Sequence, residues 1–118
     1  MNTSLIINEY SLVDIEEAFI RGFEKPLTLW LLCDGPKTGY EIMIELTRLT
    51  GKTLNPSSIY PFLHWLDEQE LAFSEWVTKG GRKMRYYSLT NRGKELYNNI
   101  QAFFQGSLKT IFEHFLQI

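Results

Sequence analysis

One short region limits the folds open to this chain more than any other. From Leu71 to Val77 the residues Leu71, Phe73, Glu75 and Val77 alternate with Ala72, Ser74 and Trp76, and Met84-Arg85-Tyr86-Tyr87-Ser88-Leu89 is a second strand-favouring run. Between the two stands Lys79-Gly80-Gly81-Arg82-Lys83, which supplies the glycines of a tight hairpin turn. Before and after this region the apolar residues recur at helical spacing instead. The expected fold is therefore mostly α with a single two-stranded β-hairpin, and the helices around that hairpin decide its use.

Leu12, Ile15, Phe19 and Phe23 fall near helical spacing, with Asp14, Glu16, Glu17 and Arg21 between them. This predicts an amphipathic helix, preceded by an extended apolar piece, Leu5-Ile6-Ile7. Pro26 suits the first turn of a second helix, where its missing N–H costs nothing. That helix runs through Leu27, Leu29, Trp30, Leu31 and Leu32, apolar nearly all round and so central, until Asp34-Gly35-Pro36 stops it. Thr38-Gly39-Tyr40-Glu41 is a capping box; the helix it opens carries Ile42, Met43, Leu46 and Leu49 on one face and closes at Gly51. Asn55-Pro56-Ser57-Ser58 is another start signal, followed by Ile59, Phe62, Leu63 and Leu66 on one side of a helix. Pro61 inside that pattern predicts a later start or a bend. Thr90 caps a last helix of about 27 residues, roughly 40 Å long, with Gly106 as a place to bend.

The chain has 118 residues, 44% of them apolar, which is room for one domain with a real core. Its longest apolar stretch, Leu29–Leu32 with Cys33, is too short to span a bilayer, and Met1-Asn2-Thr3-Ser4 lacks the basic region and long apolar run of a secretory signal. The lone Cys33 has no partner for an internal disulfide and is expected to be a buried thiol. These features predict a cytoplasmic protein with no membrane partner. The net charge of -2, taken alone, argues against a nucleic-acid binder. Its distribution argues otherwise. Residues 1–24 sum to -4, whereas Lys79, Arg82, Lys83, Arg85, Arg92 and Lys94 place +6 in sixteen consecutive residues without one acid. Such a block is either a solvated turn or an electrostatic footprint for phosphate.

Three helices from Pro26 onward, followed by a basic hairpin and a capped helix, make a winged helix-turn-helix. The residues themselves are then recognisable. Leu29-Trp30-Leu31-Leu32-Cys33-Asp34-Gly35-Pro36-Lys37-Thr38-Gly39-Tyr40-Glu41-Ile42 resembles the opening of a PadR-family transcriptional regulator. Ser58-Ile59-Tyr60-Pro61-Phe62-Leu63 is similar to that family's recognition helix, and Arg85-Tyr86-Tyr87-Ser88-Leu89-Thr90-Asn91-Arg92-Gly93 to its second wing strand and the start of its last helix. The resemblance spans roughly residues 27 to 98. It implies a double-stranded DNA partner, a repressor's role, and a homodimer made through the last helix. The expected layout is an N-terminal helix over 1–24 packing on the dimer helix, a DNA-binding domain over 25–90, and a dimerisation helix over 91–118.

In a helix-turn-helix the start of the recognition helix faces the major groove, which nominates Ser57, Ser58, Tyr60 and His64 within a helix spanning 57–69. The bland reading of the serines is helix capping, and of Tyr60, packing. The family often has Lys or Arg about where His64 and Trp65 stand, so an arginine–guanine pair from this helix is not expected. Lys79, Arg82 and Lys83 at the hairpin tip, with Arg85 on the return strand, suit the flanking backbone or minor groove. Lys37, Thr38 and Tyr40 at the start of the preceding helix can hold a phosphate. The dimer surface is assigned to Ile100, Phe103, Phe104, Leu108, Ile111, Phe112 and Phe115, with Ile15 and Phe19 from the first helix, because so many large apolar groups call for a cover.

Enzymatic readings have no support: His64 and His114 are fifty residues apart, Cys33 lies on an apolar helix, and there is no phosphate-binding loop, dinucleotide fingerprint or triad. No catalytic residue, metal or cofactor is expected. Two other readings stay open. One is a winged helix used for protein contact within a transcription complex. The other is a sensor with a small-molecule effector between the first and last helices.

Overall fold

The computed structural model describes residues 11–117, so the extended piece expected at Leu5-Ile6-Ile7 lies outside the described residues. Helix α1 spans Leu12–Leu32, starting from Ser11, whose hydroxyl accepts the Asp14 N–H at 3.2 Å. Two helices were expected here and one is found. Pro26 removes a single backbone bond, a loss of about 3 kcal/mol in an isolated helix. Phe19, Phe23 and Leu27 recur every four residues across the proline and face the C-terminal helix and the core, so packing holds the two halves in line. Cys33 caps the helix by donating its N–H to Leu29 and Trp30 carbonyls, and its side chain is exposed rather than buried. The chain turns away at that residue, leaving the core to Leu29, Leu31 and Leu32.

Strand β1, Lys37–Thr38, runs into α2, Gly39–Thr50. The capping box is complete: the Thr38 hydroxyl accepts the Glu41 N–H at 3.1 Å while Glu41 accepts the Thr38 N–H at 2.9 Å. Gly51 ends α2 with φ of +70°, a left-handed cap that glycine adopts without strain. Helix α3, Pro56–Glu68, starts at the Asn55 side chain, which accepts the Ser57 N–H at 2.9 Å. It starts at Pro56 rather than later and is continuous through Pro61, which lies on the solvent side while Ile59, Phe62, Leu63 and Leu66, buried together, hold the helix on the core.

β2, Ala72–Lys79, and β3, Arg82–Leu89, pair antiparallel from Ala72↔Leu89 to Lys79↔Arg82. Gly80 and Gly81 turn the hairpin at φ of +56° and +77°, the values a two-residue primed turn requires. The sheet holds three strands, not two: β1 pairs with β3 through Lys37↔Tyr87 and Thr38↔Tyr86, giving the order β1-β3-β2. Leu29, Leu32, Ile42, Leu46, Ile59, Leu63, Leu66 and Tyr87 meet in one core beneath this sheet.

The last helix starts as α4, Asn91–Phe103, capped by Thr90, whose hydroxyl accepts the Gly93 N–H at 3.1 Å. Gly93 packs so closely on the Leu71 carbonyl that a Cβ would collide with it. At Gly106, the place marked for a bend, the helix widens into a π-helical turn over Phe104–Leu108 and resumes as α5, Lys109–Leu116. Phe104 stacks on Phe23 at 5.4 Å between centroids, and Phe112 meets Phe19 edge-on at 6.2 Å. These contacts hold α1 along the last helix of the same chain.

Candidate nucleic-acid interface

Because α3 buries Ile59, Phe62, Leu63 and Leu66, its other faces turn outward, and Ser57, Tyr60, Pro61, His64 and Trp65 are all exposed. The hairpin rises beside it. An open cleft of about 870 Å³ separates the two, lined by Tyr40, Tyr60, His64, Trp76, Arg82 and Tyr87 among others. Gly39 lets the Tyr60 ring lie close over the start of α2, where a Cβ would force the ring to shift. The structure therefore gathers most of the residues nominated from α2, α3 and the wing along one cleft.

Their individual environments differ from the simple expectation. Thr38 is only 5% exposed and its hydroxyl is committed to the capping box, so its contribution is to fix α2 rather than to reach outward. The Ser58 hydroxyl donates to the buried Glu24 carboxylate at 2.8 Å, the shorter of its two acceptor contacts, the other being the Asn55 carbonyl at 3.0 Å, and this turns it toward α1. Ser57 and Tyr40 are exposed, and His64 stands 6.4 Å from Tyr87 between ring centroids.

Arg85 does not project freely from its strand. Its guanidinium donates to Asp67 at 2.9 Å and to Ser74 at 3.0 Å, and lies 5.1 Å from the Tyr87 ring and 5.8 Å from Trp76. Alternation puts Arg85 on the α3 side of the sheet, where an aspartate waits. By contrast, among the described residues none of Lys37, Lys79, Arg82 and Lys83 enters an ion pair. The Lys79 ammonium sits 5.1 Å from the Tyr86 ring, and the Tyr86 side chain beside it raises its pKa above the ordinary lysine value. The tip thus carries three exposed cations. Sequence reasoning passed over Pro61 and Lys25, whose ammonium lies 5.6 Å over the Phe62 ring; the outward period of α3 was the signal for Pro61.

The residues assigned to dimerisation fall into two groups. Ile100, Phe104, Leu108 and Phe112 are half-buried, in part against α1. Ile15, Phe19, Phe103, Ile111 and Phe115 remain exposed, Phe115 by 71%. The helices and hairpin together form a winged helix-turn-helix extended by a long C-terminal helix.

The family model described as "Transcriptional regulator PadR-like family" matches residues 28–99, and the chain belongs to that family, one of transcriptional regulators and not of enzymes. No curated protein matches the chain in sequence. Among solved structures, a PadR-family regulator from Eggerthella lenta shares the fold at a TM-score of 0.76 and 20% identity, with 96% of this chain and 99% of that one covered. A transcriptional regulator from Clostridium thermocellum gives 0.73 and 22%, covering 85% and 96%. Bacillus subtilis PadR, solved in complex with operator DNA, gives 0.60 at 26% identity over 65% of this chain and 45% of that one. Among the described residues no helix is long and apolar enough to cross a membrane, and no three His, Cys, Asp or Glu side chains gather as metal ligands would.

Proposed function

We propose that the chain is a sequence-specific, double-stranded-DNA-binding repressor that acts in the cytoplasm as a homodimer by occupying its operator. The observation that carries this reading is the wing: Lys79, Arg82 and Lys83 are exposed without acidic partners, beside the outward face of α3. Residues 57–69 enter the major groove, and 79–85 lie on the flanking backbone or in the minor groove. Lys37 and Tyr40 add phosphate contacts at the start of α2. Supporting the reading is the likeness to a regulator seen with operator DNA.

The dimer follows from apolar surface. Phe103, Ile111 and Phe115 on the last helix and Ile15 and Phe19 on α1 are each more than half exposed, and water disfavours so many large apolar groups left on two neighbouring helices. A second copy buries them, with the described residues of 1–24 and of 91–118 forming the dimer unit and 25–90 the reading domain. Two reading helices then meet half-sites about 34 Å, one DNA turn, apart.

Selection of bound duplexes from a random pool tests the proposal. Enriched sequences with twofold half-sites one turn apart are the expected result. A dimeric protein that enriches no duplex at low salt would overturn it and favour the use of the wing for protein contact.

A further inference from the structure

The outward face of α3 carries no cation. Ser57, Pro61, His64 and Glu68 lie opposite the buried residues, with Tyr60 and Trp65 at the flanks, and all six are exposed. None is Lys, Arg, Asn or Gln, the side chains that form paired hydrogen bonds with guanine or adenine edges. Asp67 is already held by Arg85 and Ser74. The cations stand off the helix instead. Lys25 borders it on one side, over Phe62, and Lys79, Arg82 and Lys83 rise on the wing at the other. Glu68, the one charged member of the six, is the last residue of α3, so the strip from Ser57 to Trp65 is uncharged between cationic margins and complementary to a major groove, where neutral base edges run between two lines of phosphate.

Within that strip the central residue is Pro61. An interior proline removes a helix bond, yet here its ring is turned to solvent, at the position a groove-reading helix places against the bases. Trp65, one turn on, is braced in a stack against Phe62 with centroids 6.0 Å apart and planes 15° from parallel, and remains 46% exposed. These are rigid apolar surfaces. The one apolar group that the bases offer in the major groove is the thymine 5-methyl.

We propose that Pro61, with Trp65 beside it, is the specificity-determining element, reading thymine 5-methyl groups by apolar contact in place of hydrogen bonds from side chains to base edges. The inference rests on the DNA-binding reading above and deepens it: the half-sites are defined by where thymines fall, and the wing cations supply affinity without sequence preference.

The test uses the full-length protein and a duplex enriched from the random pool. Each half-site thymine is replaced in turn by deoxyuridine, which removes the methyl and keeps every hydrogen-bonding group. At contacted positions binding weakens about fourfold per methyl, the worth of one buried methylene-sized group, while the salt dependence is unchanged. In a Pro61→Ala/Trp65→Ala double variant with unchanged helical circular dichroism, thymine and deoxyuridine duplexes bind equally. Equal binding of the two duplexes by the wild type would overturn the inference while leaving DNA binding intact, as would a double variant that keeps the discrimination. Failure to enrich any duplex would overturn the DNA-binding reading and this inference with it.

Discussion

Arg85 and Lys83 are two residues apart and present opposite fates for a cation on a wing. Lys83 is exposed and without an acidic partner, whereas Arg85 is bound to Asp67, eighteen residues away, and to Ser74. Lys83→Ala is therefore expected to weaken binding to all duplexes alike and to reduce the slope of log K against log salt by about 1 per site. Arg85→Ala should instead lower folding stability by about 1 kcal/mol, read by urea unfolding, and leave that slope unchanged. At this scale the sequence disclosed local bonds and hid distant ones. Thr38 with Glu41, Asn55 with Ser57 and Thr90 with Gly93 are two or three residues apart, and each was foreseen as a cap or start signal. The partners of Arg85 and of Ser58, whose Glu24 lies 34 residues away, exist only because the fold brings them together.

The helices and hairpin were legible because each carries its own period and stop signals. The departures arose where tertiary contacts outweigh local preference. Pro26 ends a helix by its own chemistry, but the Phe19–Phe23–Leu27 row against the last helix keeps α1 unbroken. β1 has only two residues and no alternation to detect; it exists because β3 offers an open edge to Lys37 and Thr38. Thr38 joins sheet to helix, pairing with Tyr86 and capping α2 while almost fully buried. Thr38→Ala should consequently lower stability by about 1–2 kcal/mol in chemical denaturation, and Thr38→Ser should restore most of the loss by replacing the hydroxyl.

Across the whole molecule, charge and apolar surface are segregated. The described chain extends 57 Å by 35 Å by 22 Å, with the cationic hairpin belonging to the reading domain and exposed aromatic groups along α1 and the last helix. The overall charge of -2 hides this division completely. The structure also sharpens which residues report on assembly. Phe104 and Phe112 already pack on α1 of their own chain, so a charge there would disturb the monomer. Phe115→Glu and Ile111→Glu strike exposed side chains, and sedimentation should show monomers with unchanged helical circular dichroism. A variant that stays dimeric would place the interface elsewhere.

The most direct measurement is the salt dependence of binding to a duplex selected from a random pool. With about six phosphates neutralised per dimer, mainly by the wing cations, log K should fall against log salt with a slope of roughly -5. Binding that is indifferent to salt would contradict the account, because no recognition built on Lys79, Arg82 and Lys83 can escape it.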